Sequence, residues 1–137
     1  AAPRPRRTPR ARQMSPSTQS AMAAEFVVVL CTAPATASAP RLGAHDLALQ
    51  LVEDRLCACV NVLPGIVSYY RWQGAVEAGH ELLLVAKTTA ANVAAVRARL
   101  AELHPYEVPE VVALPIVDGN SAYFEWLRGA VQPEPRA

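Results

Sequence analysis

The sequence predicts an α+β domain whose segments follow the order strand, helix, strand, strand, helix, strand, with one more helix at the end. Three observations carry this prediction. A short valine-rich run opens the domain, two stretches have apolar residues at helical spacing, and two strand-like runs between those stretches are separated by a Gln-Gly pair alone. So tight a hairpin makes its strands antiparallel, because parallel neighbours need a crossover.

The first part of the predicted domain is a central strand followed by a helix. Residues Phe26–Cys31 are uncharged and valine-rich, which predicts a strand buried on both faces. Residues 32–40 are predicted to be a linker of Ala, Thr, Ser and Pro. From Ala44 to Cys57 apolar residues recur at intervals of three and four, with polar side chains opposite, which predicts an amphipathic helix.

A long hairpin is predicted next. Cys59–Trp72 is expected to be one strand with a bulge at Pro64-Gly65, and Gln73-Gly74 is expected to turn the chain. The returning strand, which ends at Thr88, is expected to have a second irregularity at Ala78-Gly79. A hairpin of this length overhangs a small sheet, so its far end needs another surface, and a partner subunit is the expected one.

The last part of the domain is a helix, a strand and a short helix. Thr89 is a candidate N-cap for a helix that ends at Leu103, and Asn120 for the final helix. Val108–Val117 is predicted to be an edge strand, because it contains two prolines. This order is the split βαβ arrangement of ferredoxin-like folds, with two helices covering one face of a four-stranded antiparallel sheet. A partly parallel open sheet is the alternative.

Length and charge limit the classes of function. The chain has 137 residues, enough for one domain, and 52% hydrophobic residues, enough for a core. Its apolar runs are far shorter than a membrane span, so we expect a soluble protein without a membrane partner. Residues 1–24 contain five of the 13 basic residues, which leaves eight basic residues against 12 acidic ones in the rest. A mildly acidic body argues against nucleic-acid binding.

These patterns predict three regions. Residues 1–24 are rich in Arg, Pro and Ser and are predicted to be a disordered extension. An organelle transit peptide, a phosphate-binding arm, and a segment upstream of the natural start at Met14 or Met22 are the competing interpretations. Residues 25–131 are predicted to form the domain, and residues 132–137 a Pro-rich tail.

The predicted topology brings three segments to one end of the domain: Cys31, the turn after Trp72, and the rigid corner from His104 to Glu107. A thiolate beside an imidazole is a candidate site for copper or zinc, and Glu107 or Glu110 is a candidate to complete it or to accept the second imidazole proton. The alternatives are an inert buried Cys31 and a His104 that interacts with the last carbonyls of its helix.

Other residues in the chain also need a role. Tyr69, Tyr70 and Trp72 are predicted to line either a ligand pocket or a core between subunits. Lys87 near the end of an apolar strand needs a carboxylate, a ligand anion or solvent. The three cysteines are an odd number, and Cys57 and Cys59 are too close to predict a structural disulfide, so we expect a reducing compartment.

Several motifs in this order resemble those of the CutA family of divalent-cation tolerance proteins, from about Phe26 to about Val131. They are Val28 to Pro34, Cys57 to Gly65, Tyr70 to Gly74, Lys87-Thr88, His104 to Glu110, and Gly119-Asn120 with Trp126-Leu127. The resemblance implies a ferredoxin-like subunit in a homotrimer, a cytoplasmic role in tolerance to divalent metals, and copper binding.

The resemblance also implies site residues. The metal candidates of the family fall on Cys31 and His104, while Leu103 stands where some bacterial members have a further histidine. The family is in turn similar to trimeric nitrogen-signalling proteins, which bind small effectors between subunits. By that analogy a cleft is lined by the following residues: Tyr69, Trp72, Lys87, Tyr106 and Glu107.

Two functions are therefore expected. The first is a homotrimeric protein that binds copper through Cys31 and His104 and acts in cation tolerance. The alternative is a trimeric sensor or signalling scaffold that binds a small anion in clefts between subunits, with Lys87 as the anion's partner. We expect no enzymatic activity, because the sequence has no nucleophile–base–orienter set and no phosphate loop.

Overall fold

A computed structural model describes residues 24–133. The elements are β1 (Phe26–Ala33), α1 (Ala44–Glu53), β2 (Cys59–Trp72), β3 (Ala75–Thr89), α2 (Val93–Leu103), β4 (Val112–Pro115) and α3 (Ser121–Ala130), with a 3₁₀ turn at Ala90–Asn92 before α2. The four strands form one sheet in the order β2-β3-β1-β4, and every neighbouring pair is antiparallel. The α+β, ferredoxin-like prediction is confirmed.

Most of the predicted extension (1–24) and of the predicted tail (132–137) lies outside the described residues. Gln132, the first residue of that tail, is held by main-chain hydrogen bonds. Its N–H donates to the Arg55 carbonyl at 2.8 Å, and its own carbonyl accepts from the Asn92 side chain at 3.1 Å. Among the helices of the described part, none is long and apolar enough to cross a membrane.

The sheet has one covered face and one open face. Val27, Val29 and Cys31 of β1 are buried against α1 and α2, whereas the alternate residues Val28 and Leu30 are only half-buried. The prediction of a strand buried on both faces is therefore wrong for the subunit, although β1 is central. The reason is that α1 and α2 lie on the same side of the sheet. On the other side, α3 covers only one end of the sheet, where Phe124 stacks on Phe26 at 4.7 Å between ring centroids.

The hairpin of β2 and β3 extends well past the sheet. β1 pairs with β3 only from Leu82 to Thr89, so residues 66–81 pair with each other alone. We call these residues the arm. The predicted bulge is present, because the register shifts between Leu63 and Ile66. The predicted irregularity at Ala78-Gly79 is absent, since these residues pair regularly with Tyr69 and Ser68.

Two elements are shorter than predicted. The first helix ends at Glu53 and not at Cys57, because Arg55 adopts a left-handed conformation with φ 59° and the chain turns back on Leu51. The last strand is Val112–Pro115 and not Val108–Val117. It pairs with four residues of β1, Val27 to Leu30, and one further main-chain hydrogen bond runs from the Ile116 N–H to the Phe26 carbonyl at 3.0 Å. The strand is at the sheet edge, as predicted.

The arm's turn gives a test of the hairpin. Gln73 and Gly74 both have positive φ, 48° and 81°, as a two-residue hairpin requires. We expect Gly74→Ala to lower the free energy of unfolding by about 1 kcal/mol, because a Cβ is strained in this conformation. Denaturant unfolding is the measurement.

The matched control is Gly129→Ala in α3. An added Cβ at Gly129 has no neighbour within 4 Å, and helical alanine is favoured over glycine by about 0.5–1 kcal/mol. We therefore expect this variant to be as stable as the parent chain or slightly more so. Equal destabilisation by the two substitutions would contradict the turn assignment.

Candidate functional site

A cleft of about 600 Å³ lies between the arm and the corner that follows α2. We define the corner as residues 104–110. The lining residues on the arm are Ser68, Tyr69, Tyr70, Trp72, Glu77 and Glu81, and those on the corner are Tyr106, Glu107, Val108 and Glu110. Thr32 at the end of β1 completes the lining. The topology thus brings together the arm, the corner and the end of the first strand, as the sequence predicts.

The imidazole of His104 attaches the corner to β1. Its Nε2 lies 2.8 Å from the Thr32 carbonyl oxygen, and its Nδ1 lies 3.0 Å from the Tyr106 main-chain nitrogen. A carbonyl only accepts and an N–H only donates, so Nε2 carries the proton and Nδ1 accepts. His104 as a whole is 1% exposed. Both nitrogens of a buried, neutral imidazole are therefore used by main-chain partners.

The protonation of this histidine follows from its surroundings. Burial lowers the pKa of His104 below its ordinary value, because a charged ring is poorly solvated there. The hydrogen bond to Thr32 and the charge of Glu81 act in the opposite direction but do not prevail. Neutral His104 is the form that the fold stabilises.

The thiol of Cys31 belongs to the core and not to the cleft surface. Cys31 is 2% exposed and packs within the main hydrophobic cluster. Burial raises the pKa of this thiol to about 12, and the negative charges of Glu110 and Glu81 add to the effect. Cys31 is consequently a neutral thiol at pH 7, and a thiolate is the form that binds metals and acts as a nucleophile.

The buried carboxylate of Glu81 joins the two walls of the cleft. Glu81 is 8% exposed; one of its oxygens accepts a hydrogen bond from the Tyr106 hydroxyl and the other from Ser68, both at 3.1 Å. Burial, followed by the nearby Glu81 charge, raises the pKa of Tyr106 to about 12, so this phenol remains a donor at neutral pH. The corner is thereby held against the arm.

The predicted metal ligands do not fit a metal ion in this arrangement. Cys31 offers a protonated thiol, and His104 has no free nitrogen. Across residues 24–133, no group of three or more His, Cys, Asp and Glu side chains is placed to hold an ion. Glu107 and Glu110 lie on the cleft and not against the imidazole, whose Nε2 proton goes to Thr32 instead.

The other predicted residues divide between the cleft and the far end of the sheet. Tyr69, Trp72, Tyr106 and Glu107 line this cleft within one subunit, whereas the analogy places them in a cleft between subunits. Lys87 does not line it: it pairs with Val28 and Cys59 in the sheet, and its ammonium donates to the Asn61 side chain.

Sequence reasoning missed five lining residues, which are Thr32, Ser68, Glu77, Glu81 and Val108. The sequence does contain a signal for Glu81. It directly precedes the apolar run Leu82–Leu84 of a predicted strand, and a carboxylate beside such a run needs a polar partner. Thr32 had no such signal in the sequence, because its main-chain carbonyl, and not its side chain, accepts the hydrogen bond from His104.

Comparisons with known proteins agree with this description. The family model for the CutA1 divalent ion tolerance protein matches residues 27–130. The divalent-cation tolerance protein CutA of Thermus thermophilus is 50% identical over 101 residues, which cover 74% of this chain and 93% of that protein. The Citrobacter koseri protein of the same name is 39% identical over 108 residues, covering 79% and 90%.

Solved structures give the same result for the fold. The Cut A1 protein from Thermus thermophilus superposes with a TM-score of 0.71 at 48% identity, covering 78% of this chain and 99% of that one. CutA from Archaeoglobus fulgidus, described as periplasmic, superposes with a TM-score of 0.70 at 33% identity over 78% and 99% of the two chains.

The His104 bridge predicts a pH dependence of stability. The folded pKa is lowered relative to the unfolded value of about 6.5, so the unfolded chain binds more protons below that pH. The stabilisation by neutral His104 is therefore complete above pH 6.5 and is lost as the pH falls below it. Denaturant unfolding at a series of pH values from 8 to 5 measures this.

We expect His104→Gln to unfold about 1–3 kcal/mol more easily at pH 8 and to have a flatter profile between pH 7 and 5. His80→Gln is the control, because His80 is exposed on the arm. If His80→Gln flattened the profile and His104→Gln did not, the assigned tautomer and bridge would be wrong.

Proposed function

Because this chain belongs to the CutA1 divalent ion tolerance family, we propose that it acts in tolerance to divalent cations as a homotrimer whose acidic cleft attracts the cation. The charge of the cleft is the observation that carries this proposal. Its lining has four carboxylates, on Glu77, Glu81, Glu107 and Glu110, and no Lys, Arg or His. Among residues 24–133, none of these four forms an ion pair.

The same charge disfavours the anion-sensor alternative. Carboxylates on two facing walls repel an anion and raise the local concentration of cations. The lysine expected to hold an anion is Lys87, and it lies at the other end of β3 with its ammonium donating to Asn61. The cation function is therefore the better supported of the two.

Copper or another divalent cation is proposed to bind at the carboxylates of Glu107 and Glu110, which we call the rim carboxylates, and not at the Cys31–His104 pair. Glu107 and Glu110 are exposed, and no ligand set closes around a bare ion in the described residues. Carboxylates arranged in this way hold a cation that keeps part of its water shell. Such binding is weak, sensitive to salt and poorly selective among divalent ions.

Calorimetric titration of the full chain with Cu²⁺ tests this site. We expect the double variant Glu107→Gln/Glu110→Gln to bind Cu²⁺ about five- to tenfold more weakly, since each removed charge contributes up to about 1 kcal/mol at an exposed site. Glu53→Gln, an exposed carboxylate on α1, is the matched control and is expected to bind like the parent.

Cys31→Ser separates the two candidate sites. We expect this variant to keep the Cu²⁺ affinity of the parent within about twofold, because a buried neutral thiol contributes little. Loss of binding in Cys31→Ser, with full binding in the double glutamate variant, would place copper at the thiol and refute the rim site.

The homotrimer is proposed from the open face of the sheet. Alternation along the four strands puts a continuous set of apolar side chains on this face: Leu30, Leu63, Leu83, Val85, Val112 and Leu114. The arm extends from the edge of the same sheet and exposes Tyr69 and Val76, 76% and 66% exposed. A further copy of the chain, which presents the same apolar face and arm, is the proposed occupant.

Native mass spectrometry of two charge substitutions tests this interface. Leu114 on the open face and Leu49 on α1 are similarly exposed in the subunit, 45% and 56%. We expect Leu114→Glu to shift the protein from trimer to monomer, because the carboxylate is buried without a partner on assembly. Leu49→Glu is expected to remain a trimer. An identical trimer in both variants would show that the open face is not the interface.

A cytoplasmic location and a binding role without catalysis complete the proposal. Cys31, Cys57 and Cys59 are free thiols, which suits a reducing compartment. A thiolate–imidazole pair is disfavoured, because the Cys31 thiol is protonated and the His104 nitrogens are both used.

A further inference from the structure

We propose that the cleft binds an organic cation with alkylammonium groups, held by the aromatic faces of the arm and the carboxylates on both walls. This inference rests on the cation preference in the proposed function, but it names a different class of ligand. It also predicts contacts that a metal ion does not make.

The size of the cleft favours a molecule over a bare ion. Its volume of about 600 Å³ lies within the range of small-molecule sites, about 300–1,000 Å³, whereas one water occupies about 30 Å³ of liquid. The carboxylates are also spread out. Glu77 lies on β3, and Glu107 and Glu110 lie on the corner across the cleft. Separated charges match a ligand whose own charges are separated by a hydrocarbon chain.

The aromatic walls favour an organic cation over a hydrated metal ion. Tyr70 and Trp72 of the arm lie on the same face as Glu77 and Glu81 and are 42% and 43% exposed. Tyr106 of the corner is 38% exposed. The face of an aromatic ring attracts ammonium groups, and Trp attracts them most strongly. A hydrated divalent ion keeps its water between itself and the ring and gains little from this contact. The combination of rings and carboxylates therefore selects alkylammonium chemistry.

The walls are fixed before a ligand arrives. Glu81 accepts one hydrogen bond on each oxygen, from Ser68 of the arm and from Tyr106 of the corner, and His104 attaches the corner to Thr32. A pre-formed cleft loses less conformational freedom on binding. Each Glu81 oxygen also has a second lone pair with which it can accept from an ammonium group.

The probe is 1,4-diaminobutane, and Trp72 is the reporter. The chain has two tryptophans, and Trp126 lies on α3 away from the cleft, so Trp126→Phe leaves the cleft tryptophan as the only one. We expect a saturable change in Trp72 fluorescence with the diamine at low ionic strength. We expect no change with 1,4-butanediol, which has the same length without charge, or with succinate, which has the opposite charge.

Variants in the full chain identify the contacts by calorimetry. Trp72→Leu is expected to weaken diamine binding about tenfold and Trp72→Phe much less, because the phenyl ring keeps the cation–π contact. Glu107→Gln is expected to weaken it by up to about fivefold, and Glu53→Gln to leave it unchanged. Diol binding as tight as diamine binding, or parental affinity in Trp72→Leu, would overturn the inference. So would the absence of saturable binding, as expected if a further copy of the chain fills the cleft.

A Cu²⁺ competition separates this inference from the proposed function. Diamine binding without Cu²⁺ binding or competition would refute the divalent-cation function and leave the organic-cation site standing. Cu²⁺ binding at the glutamates with no response to the diamine would refute the organic-cation site alone. Mutual competition at the same glutamates supports both.

Discussion

The buried imidazole of His104 is the contact on which the candidate site depends. It accepts from the Tyr106 N–H and donates to the Thr32 carbonyl, and Tyr106 in turn donates to Glu81, which also accepts from Ser68. This chain of hydrogen bonds runs from the first strand through the corner to the hairpin arm. Each polar group in it is satisfied, and within the described residues no buried side-chain N or O lacks a partner. The cleft therefore has fixed walls although it is built on connecting segments.

Most of the fold follows from local sequence patterns. The Gln73-Gly74 pair determines the hairpin turn, and Pro64-Gly65 determines the bulge, because each requires a backbone conformation that few residues tolerate. Given this antiparallel hairpin, the order of strands and helices matches one common topology, the split βαβ arrangement of ferredoxin-like folds. The missed boundaries have tertiary causes: the first helix ends where Arg55 turns the chain, and Ala78-Gly79 stays in the strand because the opposite residues hold its register.

The candidate site was predictable by location and not by role. Topology alone brings Cys31, the arm and the corner to one end, and Tyr69, Trp72, Tyr106 and Glu107 do line a cleft there. The partner of His104 was not predictable, because it is a main-chain carbonyl 72 residues away that carries no side-chain signal. Lys87 was predicted to line the cleft and does not. It pairs with Val28 in the sheet, which places it at the end of β3 away from the cleft.

The arrangement makes the structural and metal-binding uses of Cys31 and His104 mutually exclusive. A ring nitrogen that binds a metal ion must first give up Thr32 or Tyr106, and a thiol at Cys31 must first lose a proton that burial retains. Either change loosens the corner from the strand or places a charge in the core. The exposed carboxylates on the rim carry no such cost, because water already solvates them. Cation binding at Glu107 and Glu110 is thus compatible with an intact cleft, whereas binding at Cys31 and His104 dismantles the contacts that form it.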